Sequence, residues 1–556
     1  MTAAPDAPTA VTQTFKILAA DKLHKEGLAW IEAQPDAELV NKPGLSEEEY
    51  AAIVGEHDAM IVRSGIKVTA KILENPGRLK VIARAGVGVD NIDLEAATAK
   101  GILVVNTAEA STITTAELAF SLLMALMRNI GPSHKTMSEG GWDRSKYSGR
   151  QLAGKTLGVI GMGRIGQTVA ERAMAFEMDV IGYDPFFNQE TACEGRVKMV
   201  RDFEELLPQV DILTFHVPLN DQTRSILNKD TFAKCRDGVF VVNAARGGVV
   251  DEEDLIVALD SGKCGGAALD VYTSEPPAED SPLRTHPKIL HTPHLGASTA
   301  EAQQAVSVDA AAGCMTYLRG QGVTGAVNAG GLKIDLSPMQ ERYVDLAQRM
   351  MQLINPMVTR GVCTVTIEIV GNDLVTGASM IERTALVTLL QEHLSDPVNI
   401  INVSQVAETR GIKVRTVLVE DDGPRGSELS IKIEGPAGAT DAATHECDRV
   451  RRIVGRVYDD LRPRIVEING YHMDMVPAGP MLLLQNDDRP GMIGLVGSVF
   501  GEAKVNIADM SISRRDATAL MLLKLDGEPG DAVIETIKSK PGILKAAAVK
   551  LAAEER

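Results

Sequence analysis

Three polar residues follow three apolar runs in the middle of the chain. Arg246 follows VFVVNAA, Glu275 follows AALDVYTS and His294 follows KILHTP. Such runs read as buried strands, and ligands of open α/β sheets bind outside the carboxyl ends of the strands. The three side chains therefore share a place where they can converge. Their types suit the oxidation of a secondary alcohol next to a carboxylate. An imidazole takes the hydroxyl proton near neutral pH. A carboxylate beside the imidazole raises its pKa and fixes its orientation. A guanidinium grips a substrate carboxylate through two donors and polarises the forming carbonyl. Each residue alone also has an ordinary structural role: Arg246 as a helix cap, Glu275 on a loop, His294 as a satisfied core residue. His216 and His291 are rival bases.

A redox partner for that chemistry is signalled upstream. In TLGVIGMGRIG, the residues Gly161, Gly163 and Gly166 form GxGxxG between an apolar strand and a helix. The glycines permit a tight turn, close approach of backbone to a pyrophosphate, and helix–sheet packing. The helix start then offers free N–H groups and a positive dipole end to the phosphates. The next strand, MDVIGYD, ends at Asp184, an acid placed to accept from ribose hydroxyls. A carboxylate there repels a 2′-phosphate, and Pro185 rather than an arginine follows it, so NAD is favoured over NADP.

The elements that must hold these groups read as two α/β series. TFKILAAD, DAMIVRSG, LKVIARAG and ILVVNT are short β-rich runs separated by helical stretches. The pattern predicts a parallel sheet covered on both faces. A helix is expected over 111–130, with Ser and Thr cap candidates at its start and Gly131-Pro132 stopping it. A second series begins at KTLGVIGMG and ends at KILHTP, after which a helix returns to the first series. NAGGLKIDLSP, from residue 328, is a linker candidate. The last block reads βαββαβ, a ferredoxin-like order. No internal repeat points to a solenoid.

The net charge of −18 over 556 residues argues against a nucleic-acid or anionic-membrane binder. The longest apolar stretch, LAFSLLMALM, is about half of a membrane span. Six scattered Cys form no CxxC pair, so neither a metal cluster nor a disulfide framework is expected. The first 13 residues lack a signal-peptide pattern and read as a short mobile tail. A soluble cytoplasmic protein with no metal is the expectation.

The linked segments RAGVGVDNIDLEAATAKGILVVNT, GMGRIG, NAARGGVVDEEDL, AALDVYTSEPP and HTPHLGAST resemble the D-2-hydroxyacid dehydrogenases over about residues 14–328. The resemblance implies two Rossmann-like doubly wound domains. It assigns 14–109 and 298–328 to substrate binding and 110–297 to NAD binding. It implies Arg246 as carboxylate anchor, Glu275 as partner and His294 as acid/base. Asp270 is implied to meet the nicotinamide carboxamide, while Arg164, Ile165 and Asp184 line the cofactor. Ala244, Ala245 and the turn His294, Leu295, Gly296, Ala297 are implied along the nicotinamide. Val87 and Val217 stand where relatives often carry Thr, which removes two hydroxyl contacts to the cofactor. Arg63, Arg84 and Arg144 are implied as a phosphate cradle, with Arg144 crossing from a second subunit of a homo-dimer or homo-tetramer. The implied reaction is oxidation of 3-phosphoglycerate at the head of L-serine biosynthesis. Alternatives are action on 2-oxoglutarate, hydroxypyruvate or glyoxylate, or an NAD-responsive binding protein without turnover.

The tail QNDDRPGMIGLVG…VNIADM looks like an ACT domain, a sensor of amino acids, over 478–556. Asp488 is expected to accept from an effector ammonium and Asn506 to bond either end, with serine as the implied effector. A dimerisation module is the structural alternative. Residues 329–477 are expected to form an intervening α+β domain.

Overall fold

The computed structural model describes residues 13–187, 192–358, 361–391, 393–394, 397–420, 426–435 and 450–553. Residues 1–12 of the expected 13-residue tail and Cys447 lie outside the described residues. The other five cysteines are unpaired, four of them buried.

The first sheet contains β1 (Phe15–Ala19), β2 (Ala37–Asn41), β3 (Ala59–Val62), β4 (Val81–Arg84) and β5 (Leu103–Asn106). Their order is β2-β1-β3-β4-β5, all parallel. β3, AMIV, is buried along its whole length, as a central parallel strand with two covered faces must be. β2, AELVN, escaped the sequence reading because it is a half-exposed edge strand without an apolar run. The helix Ala300–Leu318 returns to this sheet and puts Val306, Ala310, Cys314 and Met315 into the core with Ile17, Ile61 and Leu103.

The second sheet contains β6 (Thr156–Ile160), β7 (Asp179–Tyr183), β8 (Lys198–Val200), β9 (Ile212–Phe215), β10 (Val239–Asn243), β11 (Cys264–Leu269) and β12 (Ile289–His291). The order β12-β11-β10-β9-β6-β7-β8 is again all parallel. The chain reverses direction of winding between β6 and β9, which is where a doubly wound sheet opens its crevice. β8 has three residues and was too short to read from sequence.

The long helix before this sheet corrects one expectation. It runs Thr112–Met127 and stops there, and a second helix, Ile130–Ser138, leaves at 66°. Asn129 makes the break with φ 53°. Gly131-Pro132 lies in the first turn of the second helix rather than ending the first. A first-turn N–H has no helical acceptor, so proline loses nothing there. Ser111 occupies the cap position but makes no side-chain cap bond, and its hydroxyl is buried without a partner. Among the described residues no single helix is long and apolar enough to cross a membrane; the bent pair passes by length and composition only.

The third sheet contains β13 (Thr364–Val370), β14 (Lys413–Val419), β15 (Glu428–Glu434), β16 (Val450–Val457), β17 (Pro463–Ile468) and β18 (Tyr471–Met475), in the order β14-β13-β15-β16-β17-β18. The fourth contains β19 (Pro480–Asp487), β20 (Ile507–Arg515), β21 (Thr518–Leu525) and β22 (Ile543–Lys550), antiparallel in the ferredoxin-like order β20-β21-β19-β22. Alternate residues of its two central strands serve different cores. Leu482, Leu484, Met521 and Leu523 face the sheet's own helices. Met481, Leu483, Leu520 and Leu522 join the core of the third sheet. Buried Arg349 strengthens the junction by donating to the carbonyls of Pro477 (2.9 Å) and Ala552 (2.8 Å).

The segment from residue 328 is not the loose linker its Gly and Pro content suggests. Asn328 bonds β5 and the loop before it, accepting from Val104 N at 2.8 Å and donating to Ile102 O at 2.9 Å. Ala329 and Leu332 are buried with Met380 and Ile401 against the first sheet. Leu522→Ala is expected to cost about 2–5 kcal/mol. Hydrogen exchange should then report lost amide protection in both β16 and β21, because they share the core that the leucine fills.

Candidate active site

Each of the three polar residues lies just beyond the carboxyl end of a strand. Buried Asn243, the last residue of β10, pins the turn after it. Its Oδ1 accepts from Ala245 N (3.1 Å) and its Nδ2 donates to Arg246 O (2.9 Å). After β11, Glu275 Oε1 accepts from Tyr272 N at 3.1 Å, which holds the glutamate in its own turn. After β12, His294 sits at φ 54°. The structure brings His294 Nδ1 within 2.7 Å of Glu275 Oε2. With the carboxylate ionised, Nδ1 carries the shared proton and Nε2 is the free acceptor.

The unusual backbone at His294 is held by Asp270, which has no exposed surface. Its Oδ1 accepts from Thr292 Oγ1 (2.6 Å) and Leu295 N (2.7 Å), its Oδ2 from Gly296 N (3.0 Å), and its carbonyl from His294 N (2.9 Å). Burial, the largest influence, pushes its carboxyl pKa upward against these bonds. The resemblance implies that this side chain meets the nicotinamide carboxamide; in the structure the same carboxylate also folds the turn that carries the histidine.

The rival bases differ in setting. His291 ends β12 and is exposed. His216 follows β9, shares a 3.1 Å hydrogen bond with Thr214 Oγ1, and is desolvated until its pKa falls to about 4.

The glycine turn fits a dinucleotide. Gly161 has φ +90°, and a Cβ there would lie 2.5 Å from His216 O. A Cβ on Gly166 would lie 1.9 Å from Gly161 O. Gly163 precedes the helix Arg164–Ala175 with no side-chain cap, and the space at its Cβ position is open. Free N–H groups therefore face an empty approach. Asp184 accepts from Met162 N and Phe186 N, both at 2.9 Å, which fixes its carboxylate beside the turn. Ile165 packs partly into the core, and Arg164 pairs with Glu109 at 2.5 Å. Ala244 and Ala245 are buried, while Leu295 is partly exposed next to Gly296 and Ala297. Val217 packs on the core of the second sheet, and the Val87 carbonyl accepts from Asn106 Nδ2 at 2.6 Å.

A cluster of guanidiniums faces this edge from the first sheet. Arg84 is largely buried, and its pKa is lowered to about 10, first by burial and then by the charges of Arg246 and Arg63. Its Nε is buried without a partner. Arg63 is held by Lys22 O (3.0 Å) and by the Gln303 side chain. Arg144 is not in this cluster; it lies on an exposed loop beside Trp142 and Tyr147. Two residues that the sequence reading missed are Gln303, which braces Arg63, and Asp90, which pairs with Arg246 Nε at 3.0 Å. Asp90 lies within the quoted segment GVGVDNID, so the signal was present without its meaning.

In the last sheet, Asp488 pairs with Arg514 at 2.8 Å and Asn506 Nδ2 donates to Asp526 at 2.6 Å. Each has its own partner, and the two share no bond.

Residues 120–296 match the family model for the NAD binding domain of D-isomer specific 2-hydroxyacid dehydrogenases. Residues 339–469 match the D-3-phosphoglycerate dehydrogenase intervening domain. A D-3-phosphoglycerate dehydrogenase from Methanocaldococcus jannaschii is 39% identical over 96% of this chain and 100% of its own. The chain belongs to the D-3-phosphoglycerate dehydrogenase family. A Bacillus subtilis relative of the same name is 35% identical over 97% of this chain and 100% of its own. A Staphylococcus aureus NAD-dependent formate dehydrogenase solved with NAD is similar over 56% of this chain and 98% of its own, with TM-score 0.51 and 29% identity. The family is an oxidoreductase family with NAD as cofactor, and this chain is an NAD-dependent dehydrogenase of it.

His216 carries a stability prediction. The unfolded imidazole takes a proton near 6.5 and the fold refuses it until about 4, so stability falls as pH drops through that window. His216→Gln should remove up to about 3 kcal/mol of that fall. Denaturant unfolding of both proteins at pH 7 and pH 4.5, to about half a unit, checks it.

Proposed function

We propose that this chain oxidises 3-phosphoglycerate to 3-phosphooxypyruvate in the cytoplasm, the first step of L-serine biosynthesis. The observation that carries the reading is a His–carboxylate pair at 2.7 Å next to a cluster of three guanidiniums. Residues 14–109 and 298–328 hold the substrate, 110–297 hold the cofactor, and 329–477 and 478–556 are regulatory.

NAD, when bound, supplies the acceptor for the hydride that leaves C2. Gly161, Gly163, Gly166, Arg164 and Asp184 hold it, and Ala244, Ala245 and the turn 294–297 orient its reactive end. His294 Nε2 takes the C2 hydroxyl proton. Glu275 stabilises the imidazolium that results and keeps Nε2 aimed at the substrate. Arg246 holds the C1 carboxylate and polarises the new carbonyl. Arg63 and Arg84 hold the phosphate, whose two negative charges relieve the crowding of like charges around Arg84. Arg144 completes the cradle from a second subunit of a homo-dimer or homo-tetramer. Exposed Trp142, Ile130 and Met137 near that loop support such an interface. The last sheet binds serine, with Asp488 exchanging Arg514 for the effector ammonium and Asn506 taking the other end.

NADH formation from NAD and 3-phosphoglycerate, with hydrazine trapping the product, tests the reading. Turnover should depend on the phosphate and fall with millimolar serine. Equal kcat/KM for glycerate would overturn the substrate assignment. His294→Ala is expected to lower kcat about 10²–10⁴-fold with NAD binding retained. Arg84→Ala should instead raise KM for 3-phosphoglycerate and leave inhibition by oxamate, which has no phosphate, unchanged.

A further inference from the structure

Arg246 and Asp90 stand on loops of different sheets. Asp90 follows β4 in the first sheet, and Arg246 follows β10 in the second. Their 3.0 Å contact therefore crosses the crevice between the two sheets. Asp90 Oδ2 takes only Nε of the guanidinium. Nη1 donates inward, to the carbonyl of Ala245 at 2.6 Å. One edge of the planar group is thus tied to each sheet, and the remaining donors on its outer end are left for a ligand. The Arg246 side chain keeps 23% exposure, so that end is reachable.

The loop is shaped for this contact. A Cβ at Gly88 would lie 2.2 Å from Arg246 Nη2 and 2.8 Å from Asp90 Oδ2. Only the absence of a side chain lets the guanidinium lie over the loop at that point. A carboxylate here also offsets the crowding of like charge around Arg84. Arg246 and Arg63 both repel Arg84, and Asp90 is one of the two carboxylates, with Asp21, that oppose this. Asp21 is already held by the backbone N–H groups of Lys22, Arg63 and Gly65. Asp90 makes its side-chain bond to Arg246 alone among these arginines.

We propose that Asp90 is a positioning residue for the reaction: it clamps Arg246 Nε across the crevice, so that the carboxylate-binding end of the guanidinium is aimed only when the two sheets are closed on each other. The proposal rests on Arg246 as the carboxylate anchor. A mobile arginine loses rotamer freedom when it binds; a clamped one has lost it already, and the difference appears as substrate affinity. The clamp acts on substrate binding, so its loss raises KM more than it lowers kcat.

Asp90→Ala should raise KM for 3-phosphoglycerate about tenfold with kcat changed less than about threefold, as expected for loss of one charge-assisted hydrogen bond. Oxamate inhibition, which reads Arg246, should weaken by a similar factor. Inhibition by inorganic phosphate, which reads Arg63 and Arg84, should stay within about twofold, and so should NAD affinity. Asp90→Asn keeps an acceptor for Nε and should restore most of the loss. Gly88→Ala leaves Asp90 in place but intrudes on Nη2, and should reproduce the KM rise. A fall in KM and tighter oxamate binding in Asp90→Ala would overturn the clamp, because Asp90 would then be competing with substrate. Unchanged oxamate inhibition in Asp90→Ala would overturn it too. If Arg246→Ala also left oxamate inhibition unchanged, the anchor assignment itself would fall, and the clamp with it.

Discussion

Asp270 is a carboxylate without exposed surface, and the turn that carries His294 is folded around it. Three hydrogen bonds and the Asp270 carbonyl fix residues 292–296, including a histidine at φ 54°. A left-handed backbone at a residue with a Cβ persists only where its surroundings over-determine it. The backbone strain at His294 is thus offset by bonds made one strand away. The geometry of the His294–Glu275 pair depends on this arrangement, since a small rotation of the turn would carry Nδ1 away from the glutamate. Loss of the Asp270 carboxylate would leave two backbone N–H groups and a hydroxyl without their acceptor, and a buried network broken on one side costs more than its bonds contributed.

The second constraint is charge. The protein as a whole carries −18, yet three guanidiniums meet on one edge of the crevice. Burial pushes the Arg84 pKa down to about 10, which still leaves it cationic at neutral pH. The cluster is therefore an electrostatic debt in the free protein that a polyanionic ligand discharges. A general acidic surface and a local basic pocket together favour small anions that fit the pocket over large polyanions that must cover the surface. Asp90 and Gln303 make the arrangement tolerable before the ligand arrives, one by charge and the other by a neutral acceptor.

Much of this was legible in the sequence because chemistry at strand ends leaves short, ordered signatures. Gly161 and Gly166 are demanded by close contacts that leave no room for a Cβ, Gly163 keeps the approach to the helix start open, and Arg246, Glu275 and His294 each follow a run apolar enough to mark a buried strand. What escaped has physical reasons. β2 and β8 are edge strands, and an edge strand needs no apolar run. The helix break at Asn129 is a backbone event that leaves hydropathy untouched, and the proline just after it looked like the cause. The segment after residue 328 has the composition of a linker, but a few apolar side chains, Ala329 and Leu332 among them, were enough to dock it. Asp270 and Asp90 were both in quoted segments; their partners lie in other parts of the chain, and sequence order does not show them.

The two final sheets present a different kind of dependence. β19 and β21 divide their side chains between two cores, so the two central strands of the fourth sheet are packed on both faces and cannot slide over the third without opening the packing around Leu483 and Leu522. Interiors packed at crystal density shift as bodies rather than deform continuously. A displacement of the fourth sheet is therefore handed to the third, and from there to its contact with the first. Besides the packing of Met380 and Ile401 against the first sheet, that contact includes Asn399 Nδ2 donating to Gly101 O at 2.9 Å, where Gly101 has φ +70° and no side chain to keep the asparagine away. Gly101 closes the short helix Leu94–Ala99, and Asp93 caps the other end of that helix by accepting from Ala96 N at 2.9 Å. Immediately before Asp93 runs the loop of Gly88 and Asp90. The C-terminal part of the chain thus contacts the far end of a six-residue helix whose near end follows the loop that carries Asp90, the partner of Arg246.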